Sequence, residues 1–203
     1  MKQNTPLQTI VAFVLGLGIG AGFVYMFLQA NDLDYTHPIA DPTDDEYHVH
    51  ADFRIYVQDT QIDLSDDKFM TTGSHLVSEH AHLHDGNGEV KHIHAENVTF
   101  AQFLNSLGIT LTDTCLTIFD GTPMCSEQSQ EVLLYVNNEL YTKPYSLYEP
   151  VDDDRILLYY GDPQNANIQS YVEEIPNDSC YYSGTCPERG IAPPENCGLT
   201  CEL

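Results

Sequence analysis

Histidine recurs at every second position in the middle of this chain, and that period constrains the local structure more than any other feature. Five of the nine histidines fall within Glu79–Glu96, EHAHLHDGNGEVKHIHAE: His80, His82 and His84, then His92 and His94. A period of two is that of a β-strand, whose successive side chains point to opposite faces. A helix would scatter the same residues around its circumference. The intervening DGNG reads as the turn of a hairpin. With a three-residue loop, Gly86-Asn87-Gly88, and Gly88 left-handed, Asp85 faces Glu89. His84 then lies opposite Val90, His82 opposite His92, and His80 opposite His94, with all five imidazoles on one face. A two-residue loop would move His92 and His94 to the face opposite His82, because one residue of slip reverses every side chain. Glycine at the third loop position favours the longer loop.

A second alternating stretch lies upstream, Tyr47–Val57, YHVHADFRIYV. Val49, Ala51, Phe53, Ile55 and Val57 share one face; His48, His50, Asp52, Arg54 and Tyr56 share the other, so a half-buried strand with a wet face is expected. Neutral imidazole is a good ligand for Zn(II), Cu(II) and Ni(II). On one strand face, i and i+2 side chains lie roughly 6.6 Å apart, and cross-strand Cβ atoms about 4.5–5.5 Å apart. Pairs such as His82 and His92 can therefore share an ion. The expected ligands are His80, His82, His92 and His94, with His84 and the His48/His50 strand in reserve. Asp52, Glu79, Asp85 and Glu96 are the carboxylates expected to orient the rings. The plain alternative is a polar strand face that happens to use histidine. Seven histidines in H-x-H units, in a chain with only 7 Lys and Arg, weigh against it. Copper(I) handling through methionine is disfavoured, since Met70 and Met124 are the only methionines after the first apolar segment and its start.

The charge and the cysteines set the compartment. Asp and Glu number 31, for a formal net charge of −24. Nucleic acid is excluded as a partner, because phosphate binding needs clustered Lys and Arg. Every acid follows Ile10–Leu28, IVAFVLGLGIGAGFVYMFL, 19 uncharged residues. At 1.5 Å per residue that segment just spans a bilayer core of about 30 Å. With Lys2 before it and Asp32 and Asp34 after it, the expected orientation puts the N-terminus in the cytoplasm and the rest outside. A cleaved signal peptide is the rival reading, weakened by the length of the run and by the poor cleavage site Leu28-Gln29-Ala30. Six cysteines follow the segment and none lies in it, which in an exported domain reads as disulfides. The expected organisation is a membrane anchor over 1–28, an acidic linker over 29–46, a histidine-rich domain over 47–161 and a Cys/Pro-rich tail over 162–203.

Within the domain, Gln61–Leu64 reads as a short return strand and Ser65–Gly73 as a loop. Val98–Gly108 carries a helix signal: Thr99 as N-cap, Gln102 at the third helical position to complete a capping box, and Gly108 to end it. Cys115–Cys125 reads as a hairpin closed by a local disulfide. Glu131–Tyr141 is another hairpin, around Asn137-Asn138. Asp152–Asp154 lacks the ligand alternation of a calcium loop and reads as a charged turn before the strand Arg155–Tyr160. In the tail, Cys180, Cys186, Cys197 and Cys201 read as two disulfides, in any of three pairings, rather than a zinc knuckle.

The order of hairpin, capped helix and strands ending in YVNN…YSLYEPVDDDRILLYYG resembles β-grasp domains of the soluble-ligand-binding kind, over roughly residues 48–161. The turn Val136-Asn137-Asn138 lacks their glycine, and the histidine hairpin is inserted before the helix. The resemblance implies an α+β fold with a helix across a mixed sheet. The chain also resembles uncharacterised single-anchor bacterial and archaeal proteins with HxHADF and HLHDG…HxHA motifs, a likeness that implies no activity. The expected function is thus a membrane-tethered, extracytoplasmic Zn(II)- or Cu(II)-binding protein. A metal-dependent hydrolase and a metal-free surface module that docks a protein or small ligand are the alternatives. No HExxH, nucleophile elbow or CxxC is present, so an enzyme is the less expected outcome.

Overall fold

The computed structural model describes residues 47–192. The apolar segment Ile10–Leu28, the linker 29–46, Cys197 and Cys201 lie outside them. Among the described residues no helix is long and apolar enough to cross a membrane. In chain order the strands are β1 (Val49–Val57), β2 (Thr60–Gln61), β3 (Ala81–His82), β4 (Val90–Ile93), β5 (Ile109–Leu111), β6 (Cys115–Ile118), β7 (Met124–Cys125), β8 (Glu131–Val136), β9 (Glu139–Leu140) and β10 (Arg155–Gly161). The helices are α1 (Phe100–Ser106), α2 (Ile168–Glu173) and α3 (Ser179–Tyr182). The class is α+β, as expected, with far more sheet than helix.

The main sheet runs β3-β4-β1-β10-β8-β9, with β2 also on β1. The long strand β1 pairs parallel with β10, from Asp52↔Arg155 to Val57↔Tyr160. On its other side β1 meets β4 antiparallel, Val49↔Ile93 and His50↔His92. β5, β6 and β7 form a separate three-stranded sheet. Its β6 and β7 are joined by the expected Cys115–Cys125 disulfide, whose two residues sit opposite one another.

Alternation along β1 sends Ala51, Phe53 and Ile55 into the larger core. There they meet Phe100, Phe103 and Leu104 of α1, with Ile156 and Leu158 of β10 alongside. The helix begins where the sequence placed it: Thr99 Oγ1 accepts from Gln102 N at 3.1 Å, and Gln102 Oε1 accepts from Thr99 N at 2.8 Å. Gly108 follows with φ of 79°, the left-handed exit that favours glycine. β10 is apolar at nearly every position because both its faces are covered. Leu157 and Tyr159 turn to the opposite face and pack with Tyr56, Leu133, Ile168, Val172 and Ile175.

That second face carries the chain after Gly161. Asp52, fully buried, accepts from the backbone N–H groups of Asp178 and Ser179, both at 3.0 Å, and from Ser179 Oγ at 2.5 Å. Burial pushes the Asp52 carboxyl up, and those hydrogen bonds pull against the shift. Arg155 binds the carbonyls of Glu173, Ile175 and Pro176 at the end of α2. Cys180 pairs with Cys186. Two expectations are corrected in detail. The return strand is Thr60–Gln61, not Gln61–Leu64. The loop from Ser65 contains a 3-10 turn, Asp67–Phe69, capped by the Asp66 side chain, which buries Phe69.

One residue breaks the pattern of the larger core. Lys91 pairs with Ala51 and so faces α1. It is fully buried, with Nζ 5.1 Å from the Phe100 ring centre and, among the described residues, no hydrogen-bond partner. Burial pushes its amine well below the usual lysine range, opposed by the charges of Asp154 and Asp52.

Candidate metal centre

The register expected from alternation is present: His82 lies opposite His92 and Ala81 opposite Ile93. His94 N–H donates to His80 O at 2.8 Å, which carries the same register one rung further. The turn is built differently. Asp85 (φ 56°) and Gly86 (φ 72°) are left-handed, and Gly88 is not. Glycine at 88 is required for space, since a Cβ there would come within 2.5 Å of the Leu64 backbone. Asn87 organises the loop, donating from N to His84 O and accepting at Oδ1 from Glu89 N and Val90 N. The expected pairing of His84 with Val90 is replaced. The chain leaves the hairpin at Leu83, which bridges to Met70 while its carbonyl accepts from Thr71 N.

Because β1 lies on the far side of β4, the histidines of three strands line up. One rung is His82, His92 and His50. His94 and His48 stand two residues along, just past the ends of β4 and β1, with their rings 4.5 Å apart. The β1 histidines expected in reserve are therefore central. Ring centres are 4.4 Å apart for His48 and His50, 4.6 Å for His50 and His92, and 3.7 Å for His92 and His84. The chain of contacts continues through His84 and His82 at 6.0 Å, His82 and His94 at 4.9 Å, and His94 and His48 at 4.5 Å, closing on itself. His48, His50 and His92 bring one ring nitrogen each within 4.8 Å of one another. His48 is exposed and the other two are buried, so the group has a wet side by which an ion can reach it.

Hydrogen bonds outside the array decide which nitrogen each ring presents. Ser183 Oγ donates its one proton to Asp152 Oδ1 at 2.6 Å, so at 2.9 Å it accepts from His50 Nδ1. His84 Nδ1 donates to the Asp85 carboxylate at 2.8 Å. His82 Nδ1 donates to the Ser78 carbonyl at 3.2 Å. All three rings thereby carry the proton on Nδ1, and Nε2 is the atom each would offer a metal. Such outer partners fix the tautomer and raise the basicity of ligating histidines.

The structure treats the remaining expected residues differently. His80 is half-buried, and among the described residues its ring joins none of these contacts. Of the carboxylates expected behind the rings, Asp85 serves His84. Asp52 instead holds the start of α3, and Glu79 and Glu96 are exposed. Three residues were not foreseen. Tyr182 of α3 has its ring 5.4 Å from His92, 5.7 Å from His50 and 6.5 Å from His84. Ser183 and Asp152 serve His50. No spacing in the sequence points to them, because Ser183 lies 133 residues from His50. Beside Tyr182 runs a groove of about 510 Å³, bordered by Arg54, Gln61, Asp63, Asp85 and Glu89. Arg54 holds Glu89 through Nε at 2.7 Å and Nη2 at 3.2 Å. Comparison of the chain with protein-family models, characterised proteins and solved structures returns no match.

Proposed function

We propose that this chain is an extracytoplasmic metal-binding protein, tethered to a membrane by Ile10–Leu28, that holds a divalent transition metal, Zn(II) or Cu(II), on its histidine face. The observation that carries this reading is the convergence of His48, His50 and His92. Three imidazoles on a tetrahedral ion at Zn–N of about 2.0 Å would have ring centres about 5.2 Å apart. The spacings of 4.4, 4.6 and 6.3 Å bracket that value. The hydrogen bonds from His50 Nδ1 to Ser183 and on to Asp152 add the support that ligating histidines ordinarily have. Two disulfides favour an oxidising compartment outside the cytoplasm. Parallel pairing of β1 with β10 and a helix across one face favour a β-grasp-like domain as the scaffold.

Zinc(II) titration of the full chain by calorimetry tests the reading. The wild type is expected to bind and His48→Asn/His50→Asn to lose affinity by on the order of 100-fold, since ligand loss exceeds the 10–100-fold cost of losing an outer partner. Equal affinity and equal stoichiometry in the two proteins, or no binding by the wild type, would reject it. A hydrolytic role is the second reading, favoured by the groove beside Tyr182 and by three ligands that leave a fourth position for water. Zinc-dependent turnover of ester or phosphoester probes, lost in the same variant, would select it.

A further inference from the structure

We propose a second metal centre beside the first, held by His82, His84 and His94, so that the histidine face carries two transition-metal ions. The inference rests on reading His48, His50 and His92 as a metal site and extends it to the other half of the array.

A single ion does not account for all six rings. Six imidazoles around one octahedral ion at about 2.1 Å would put neighbouring ring centres about 4.6 Å apart and leave each ring one opposite partner. His92 is 6.3 Å from both His48 and His82, and only one of them can be opposite it. Two groups of three fit better. Within the second group, His82 lies 4.9 Å from His94 and 6.0 Å from His84, on either side of the about 5.2 Å of a tetrahedral ion; among the described residues only the first group brings three ligand atoms within 4.8 Å of one another, so the second is the looser of the two.

Burial and outer hydrogen bonds suit this group to ligation, as they do His50 of the first. His82, His84 and His94 are at most 8% exposed. Three imidazoles packed together give up hydration that an apolar contact does not return. His82 and His84 each have Nδ1 fixed by an outer acceptor, Ser78 O and the Asp85 carboxylate, so both would ligate through Nε2. The Asp85 carboxylate also brings negative charge beside this group, as Asp152 does beside His50. The two groups touch along a seam, His84 against His92 at 3.7 Å and His48 against His94 at 4.5 Å. The two ions are therefore close neighbours. Each would have three nitrogen ligands and a position open to water or to a bridging anion.

The test is stoichiometry of the metal alone on the full chain, by elemental analysis and calorimetry with Zn(II), and by electron paramagnetic resonance with Cu(II). Two ions are expected in the wild type, one in His82→Asn/His84→Asn and one in His48→Asn/His50→Asn. Two Cu(II) ions should show the magnetic coupling of a close pair in the wild type alone. Asp85→Asn keeps every ligand and should weaken only one of the two ions, about tenfold; it guards against variants that fail to fold. One ion in the wild type, kept by His82→Asn/His84→Asn and lost in His48→Asn/His50→Asn, overturns the second centre and leaves the first standing. One ion lost in both variants overturns it as well. Two uncoupled Cu(II) ions would overturn the adjacency, and no ion in the wild type overturns both centres.

Discussion

Lys91 and His92 are neighbours on β4 and enter opposite faces of one sheet, where burial has different consequences. Lys91 joins Phe100 and the apolar residues of α1, where none of the described residues accepts a hydrogen bond from its amine. The cheapest state of a buried, unpartnered ammonium is to lose its proton. His92 joins a set of rings whose outer nitrogens are, for His50, His82 and His84, held by Ser183, Ser78 and Asp85. Imidazole is neutral above its ordinary pKa of about 6.5 and then offers a lone pair. One face thus tolerates a cation by neutralising it, whereas the other gathers imidazoles that could hold one from outside.

The largest effect expected from breaking that contrast is on His92, which touches both halves of the array. His92→Asn should lower Zn(II) affinity by 100-fold or more, above the range seen for outer partners, measured by calorimetry with the melting temperature of the metal-free chain as control. Lys91→Met is the counterpart on the dry face, and should stabilise the fold by about 2 kcal/mol at neutral pH with Zn(II) affinity unchanged. The sign follows from proton binding. The folded amine titrates well below its unfolded value of about 10.5. Between the two values the unfolded chain binds one more proton, so stability rises with pH across that window. The gain from Lys91→Met should therefore shrink from pH 7 toward pH 10, as urea melts at the two pH values would show.

Smaller effects sharpen the comparison. Ser183→Ala removes the acceptor for His50 Nδ1 and should weaken Zn(II) binding about tenfold with little change in stability. Thr99→Ala removes the capping box of α1 and should cost about 1 kcal/mol of stability. It should leave Zn(II) binding unchanged. A Thr99 variant that lost metal affinity would show that the two faces are not independent.

The parts of this arrangement that were legible in the sequence are those set by local periodicity. Alternation gave β1 its two faces and gave the hairpin the register His82↔His92, which the turn did not alter; the face expected to be wet is instead covered by the chain after β10, which buries His50, Asp52 and Tyr56. Thr99, Gln102 and Gly108 marked the helix because capping is decided within a few residues. Cys115 and Cys125 flank one turn, and their pairing was legible for that reason. Gly88 was misread because its reason is a contact with Leu64, far away in sequence. Tyr182, Ser183 and Asp152 were invisible because only the path of the chain after β10 brings them to His50. The pairing of Cys180 with Cys186 was one of three that spacing allowed. Lys91 did carry a signal, since it shares parity with Ile93 and not with the histidines, and a lysine on the inward side of an alternating strand is the anomaly the fold contains.

X-ray absorption at the zinc edge of the Zn(II)-loaded full chain tests the central claim most directly. The arrangement predicts a nitrogen shell at about 2.0–2.1 Å with the outer scattering of about three imidazoles per ion, reduced in His92→Asn. A shell of oxygen ligands without imidazole scattering would place the metal on the acidic surface and contradict the assignment of the histidine face.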